Sequence, residues 1–166
     1  MEAGPYAHCV RRLVILHAAA TWFMVGLIWT VHTVHYPLFA EVGAATYESF
    51  QASHVDRIGK LLLLPWLTEG VTLLGLLWFV FRGGRRDLRV PVLLGAVMMG
   101  VVLLISGVWS APAHADLADG FDAAVHDRLM TANLLRTLAW TVRGLTAVWI
   151  VALVWPRDAD GKNQAP

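Results

Sequence analysis

His32 and His35 stand three residues apart in the segment VHTVHYP, and Tyr36 and Pro37 follow at once. Neutral imidazole is the commonest nitrogen ligand for zinc, copper, nickel and iron, and residues three apart on a helix share a face. Of seven histidines, five (His32, His35, His54, His114 and His126) fall at one end of the long apolar segments or in the connections beside them. The pattern raises a shared site for a transition metal, Fe, Cu or Zn. Asp116, Asp122, Glu41 and Glu48 are then available as oxygen ligands or to orient the rings. A plainer role stands beside this one. Histidine has an apolar body and a polar tip, and suits the edge of a bilayer without any ligand. HxxH also lacks the general base that a HExxH helix carries.

A second set of chemical groups lies deeper. Glu69 falls about ten residues into an apolar run, roughly 15 Å along a helix axis. Arg136 and Arg143 are seven apart in another such run and share a face. A charge at mid-bilayer costs at least about 2.5–3.5 kcal/mol, so such groups turn inward, pair with one another and are functional candidates by default. The expected pair is Glu69 with Arg136 or Arg143. Asn133, Arg136, Thr137, Trp140 and Arg143 make one polar stripe, and His17, Thr21, Met24, Ile28, His32 and His35 make another. Together they describe a polar bundle interior in which Glu69, Arg136 and Arg143 are the catalytic or substrate-polarising candidates.

The elements that must position these groups are membrane helices. The chain has 166 residues, 57% hydrophobic and 15% charged, with a mean hydropathy of +0.58. Soluble domains are about 45–50% apolar and about 25% charged. Four apolar segments, about 13–36, 58–81, 88–111 and 129–154, approach or exceed the ~20 residues a helix needs to cross the hydrocarbon. Inside a bilayer each must satisfy its own backbone hydrogen bonds, so the expected fold is all-α, a single transmembrane four-helix bundle. The first segment is too long for the hydrophobic region of a cleavable signal peptide. Short interfacial helical pieces are expected in the histidine-bearing connections, one running through Tyr47, Phe50 and His54 into the second span. Asp119-Gly120 reads as a turn, and Asp122 as the cap of the fourth helix. Residues 158–166 read as a disordered polar tail.

Arg11 and Arg12 precede the first span; Arg82, Arg85, Arg86 and Arg89 separate the second and third; Arg157 and Lys162 follow the fourth. The positive-inside rule places these, and both termini, in the cytoplasm, with the histidines outside. A bacterial inner membrane is the expected location and the lipid bilayer the first partner. The net charge of +1 and the absence of a basic run argue against nucleic acid. The single cysteine, Cys9, excludes an intrachain disulfide. Ser106 and Ser110 lack a nucleophile elbow, and no phosphate-cradling glycine loop is present. Gly70, Gly75, Gly95, Gly100 and Gly107 read as places where helices approach closely.

The segments HDRLMTANLLRTLAWTVRGL, VHTVHYPLF and SAPAHADLADGFD together resemble a group of small bacterial four-span membrane proteins, over nearly the whole chain. This resemblance implies the four-span fold and no particular activity. LHAAATWFMVGLIW is similar to the first span of heme-binding membrane proteins of the HemJ protoporphyrinogen oxidase type, which implies heme b with His17 as a ligand. The chain departs from that pattern in continuing through His32 and His35 and in lacking the matching third-span lysine. Anthrone-oxygenase-like four-span proteins share the architecture alone.

Two functions follow. One is a metal- or heme-dependent oxidoreductase acting on a lipophilic small molecule, with His54 or His126 as acid–base. The other is a non-catalytic solute or proton pathway, or a helix-packing subunit of a membrane complex.

Overall fold

The computed structural model describes residues 5–83 and 85–155. The expected tail at 158–166, with Arg157 and Lys162, lies outside the described residues. Helix α1 (Pro5–Thr30) is followed by a π-turn over Val31–His35 and a 3₁₀ turn over Pro37–Glu41. Helix α2 (Ala44–Gly83) is followed by a 3₁₀ turn over Arg86–Leu88 and by α3 (Arg89–Ile105). A second π-turn over Ser106–Ser110 leads into the short α4 (Ala111–Asp116), a 3₁₀ turn over Leu117–Asp119 and α5 (Ala123–Val154). No strand occurs among the described residues. Four helical stretches are long and apolar enough to cross a membrane, so the all-α, four-span architecture stands.

The bundle is centred on α5, which packs against α1 and α3, while α1 also packs against α2. Helices α2 and α3 touch each other less. Much of the surface of α2 is apolar and exposed, including Leu63, Leu64, Leu67, Val71, Leu74 and Trp78. That is the inverse of a water-soluble helix and the arrangement lipid requires. A small apolar core of Val14, Leu76, Val80, Leu88, Val92 and Ile150 closes the arginine-bearing end. At the histidine end, Phe39, Tyr47, Leu117 and Leu129 are fully buried.

The interfacial helix expected ahead of the second span is continuous with it. The 40 residues of α2 extend roughly 60 Å, about twice the hydrocarbon thickness. The stretch before Ile58, with exposed Asp56 and Arg57, therefore stands beyond the span. At the other connection Gly120 has φ 136°, a backbone conformation open to glycine alone without strain. Asp122 caps α5, its Oδ1 accepting from the Val125 N–H at 2.9 Å.

The glycines divide. Gly75 sits 3.2 Å from the Leu13 side chain, measured from where a Cβ would stand, and Gly95 3.2 Å from the Thr146 hydroxyl. Gly144, not singled out in the sequence, meets Val25 at 3.1 Å. Gly70, Gly100 and Gly107 have nothing within 4 Å, which corrects the expectation of close approach at those three.

The two π-turns share one design. Each is followed by one ordinary residue and then a proline: Tyr36-Pro37 after the first, Ala111-Pro112 after the second. Proline lacks an N–H and its ring clashes with the carbonyl four residues back, so the preceding turn widens. The Tyr36 N–H bonds five residues back, to the Val31 carbonyl at 2.9 Å. Both widened turns face the same space inside the histidine end, described next.

Candidate functional site: a buried arginine beneath a layer of imidazoles

Glu69 and Arg143 form the expected intramembrane pair. One carboxylate oxygen of Glu69 accepts from Arg143 Nε at 3.0 Å and from Nη2 at 2.6 Å. The other accepts from the Trp140 indole at 3.2 Å. Arg143 Nη1 donates to the Gly95 carbonyl at 2.6 Å. Glu69 and Arg143 are 0% and 1% exposed. The group ties α2, α3 and α5 together, and both oxygens of Glu69 are engaged in it.

Arg136 is different. It is 7% exposed, and among the described residues no carboxylate lies within ion-pair distance of it. Its guanidinium stands 5.7 Å from the Trp140 ring centroid and interacts with the Tyr36 hydroxyl, while its Nε has no partner. It lines a cavity of about 250 Å³ between α1, α2, α5 and the second π-turn with the start of α4. The walls are mostly apolar, with Met24, Ile28, Val31, Leu62 and Trp66 among them, and His114 and Tyr36 at the histidine end. Four buried polar atoms without partners belong to residues lining this cavity: Arg136 Nε, Trp66 Nε1, Ser106 Oγ and Ser110 Oγ. Buried polar groups are rarely left without a partner. Four around one cavity describe the outline of a polar occupant.

The hydrogen bonds at the mouth of the cavity fix a tautomer. Gln51 Nε2 lies 3.0 Å from His114 Nδ1 and donates to the His114 carbonyl at 3.3 Å. A carbonyl only accepts, so the amide nitrogen faces His114, and Nδ1 is the acceptor. The ring proton is therefore on Nε2, which donates to the Tyr36 hydroxyl at 2.8 Å. With the His114 Nε2–H donating to its oxygen, Tyr36 is left to point its own proton elsewhere, and the cavity it lines is the open direction.

Above this, His35 Nε2 and His54 Nδ1 are 2.8 Å apart, one donating and the other accepting. The His54 ring is 5.2 Å from that of His114. His54 and His114 lie in the connections beyond the spans, in the extension of α2 and after Pro112. Burial, reinforced for His54 by His114 and His35 and for His114 by Arg136 and His35, pushes each from the ordinary 6.5 down to about 4. Both are neutral at pH 7. Phe39, fully buried, packs edge-on against His35, His54 and His114 and at a tilt against His126.

Three of the five expected histidines, His35, His54 and His114, thus meet. The other two do not. His126 Nε2 donates to the Tyr36 carbonyl at 2.8 Å, fixing the end of the first π-turn. His32 packs edge-on to Trp29 and its buried Nδ1 has no partner. The sequence puts His32 and His35 on one face, but the π-turn between them rotates His35 toward His54 and leaves His32 behind. Asp116 pairs with Arg128 at 3.2 Å and Asp122 is a helix cap, while Glu41 and Glu48 are exposed. Among the described residues no three His, Cys, Asp or Glu groups are arranged to hold a metal ion. His17 lies deeper, its Nδ1 donating at 3.0 Å to Thr72, whose own hydroxyl donates to the Thr68 carbonyl at 2.6 Å.

No known relative decides what this site does. No family model, curated protein or solved structure matches the chain. The chemistry of the cavity is therefore the guide. Residue types alone did not single out Tyr36, Gln51, Trp66, Ser106 or Ser110. The one signal was the repeated proline offset, YP at 36–37 and AP at 111–112, which marks both widened turns. A larger groove of about 500 Å³ nearby, walled by Trp109, Asp116 and Arg128 among others, has its arginine and Asp116 paired with each other.

Proposed function

We propose that this is a multi-pass protein of a bacterial inner membrane, both termini cytoplasmic, that binds a lipophilic small molecule through an anionic oxygen at Arg136. Tyr36, backed by the His114 Nε2–H, donates a hydrogen bond to that head group and is the acid of the site. The neutral imidazoles of His114, His54 and His35 lie between the cavity and the outer surface and offer a route for a proton to leave or enter. The arrangement suits proton-coupled chemistry on a lipophilic substrate, the oxidoreductase class.

One observation carries the proposal: a buried arginine that, among the described residues, has no carboxylate partner and lines a mostly apolar cavity. An isolated cation in such surroundings is costly, and a bound anion offsets that cost. The test is extraction of the detergent-purified protein into organic solvent followed by mass spectrometry. A near-stoichiometric acidic lipophile, absent from Arg136→Gln, is the expected result. Equal content in both proteins, or none in either, counts against the proposal.

A metal-dependent form of this function would draw on His35 Nε2 and His54 Nδ1, which share a proton at 2.8 Å and would have to release it and move apart to take up an ion at ~2.0–2.1 Å. Metal content by mass spectrometry of untagged protein tests it: near-stoichiometric Fe, Cu or Zn lost in His35→Ala/His54→Ala supports it, and no metal in the wild type rejects it.

A further inference from the structure

On the membrane side the seam between α2 and α3 holds a second, open cavity of about 270 Å³, lined by Leu63, Trp66, Leu67, Gly70, Met99 and Leu103. All six are apolar or carry no side chain except the Trp66 indole. Trp66 lines this groove and the Arg136 cavity alike, so the two adjoin at its ring. Three features make the seam loose. Helices α2 and α3 touch little. Gly70 leaves open space where a Cβ would stand. Pro65, inside α2, removes one rung of the backbone ladder beside Trp66. Leu63 to Gly70 spans roughly 10 Å along the helix.

We infer that the ligand is a long-chain carboxylate that enters sideways from the bilayer, its head at Arg136 and its chain in the groove over Gly70, passing Trp66. The inference rests on the proposed anion site. Charge selects the head: among the described residues the cavity is lined by one cation without a carboxylate partner, Arg136, so a single negative charge is matched, whereas a phosphate monoester of charge about −1.5 to −2 is not. A planar carboxylate also fits the two-pronged donor face of a guanidinium. Continuity selects the chain, because the apolar groove begins at the same tryptophan that walls the head cavity. A small water-borne acid has no use for the groove. An amphiphile already dissolved in the membrane reaches Arg136 through it without crossing the histidine layer.

The test uses full-length protein in phosphatidylcholine nanodiscs and the fluorescent probe 11-(dansylamino)undecanoic acid, with cyclohexanecarboxylate as a competitor lacking a chain. Arg136→Gln is expected to weaken probe binding at least tenfold. Gly70→Phe, which fills the groove, is expected to do the same while leaving competition by cyclohexanecarboxylate at the head site unchanged. Leu103→Trp, at a lipid-exposed wall position, repeats the groove test without touching the bundle interior. Loss in Arg136→Gln with full binding in both groove variants overturns the lateral route and leaves the anion site standing. Binding that ignores Arg136→Gln, or no binding to wild type, overturns both.

Discussion

Arg136 and Arg143 lie seven residues apart on α5, both nearly inaccessible, and among the described residues only Arg143 has a carboxylate partner. The pair separates structural from functional charge within one helix. Arg143 has its guanidinium spent on Glu69 and Gly95. Arg136 faces a cavity with polar atoms left over.

Opposite responses to substitution follow. Glu69→Gln or Arg143→Met leaves a buried charge alone, which costs about 3–5 kcal/mol. Each variant should melt well below wild type in detergent. Arg136→Met removes a charge that has no carboxylate partner and should melt at or above the wild-type temperature. Equal destabilisation by Arg136→Met and Arg143→Met would show that Arg136 is also structural.

Tyr36→Phe should keep the fold, because the ring still fills its place between Phe39 and His114. It removes a hydrogen bond to a charged head group, worth about 1.5–3 kcal/mol, so binding of the dansyl acid should fall about tenfold or more. Unchanged affinity would exclude Tyr36 as the donor.

The histidine layer sets a pH dependence. For His54 and His114 the folded values, about 4, lie below the ordinary 6.5, so the fold favours the neutral rings. That contribution is complete above pH 6.5 and is lost as the pH falls from 6.5 toward 4. Melting temperature should drop across this window, and His54→Gln/His114→Gln should flatten the drop. A wild-type profile already flat between pH 7 and 4 contradicts the buried neutral layer.

Pro37→Ala and Pro112→Ala test the widened turns. Without the proline ring each π-turn is free to tighten toward α-helix, turning Tyr36 or Ser110 away from the cavity. Weaker probe binding at undiminished thermal stability is expected. A loss of binding that appears only with a matching loss of stability would mean the prolines support the fold and not the site.

How much of this was legible follows from what each signal depends on. The four spans are written in composition, and helix is the only way such segments satisfy their backbones in lipid, so α1, α2, α3 and α5 were readable. Glu69 was readable because a carboxylate at that depth must find a cation, though only packing could choose Arg143 over Arg136. The histidine layer was half legible. Of the five histidines read as one group, His35, His54 and His114 come into contact while His126 and His32 do not, the latter because α-helical spacing fails across a π-turn. Tyr36, Gln51 and Trp66 were not legible as a site. Their roles come from tertiary neighbours on other helices, which no local spacing encodes.

The most direct measurement of the central claim is ¹³C NMR of [1-¹³C]palmitate bound to the protein in nanodiscs, followed through a pH titration. Beside Arg136 the bound carboxylate should stay ionised at pH values where the same acid in protein-free nanodiscs is protonated, and Arg136→Gln should abolish that difference. A carboxyl that titrates alike with wild type, with Arg136→Gln and without protein would contradict an anion site at Arg136.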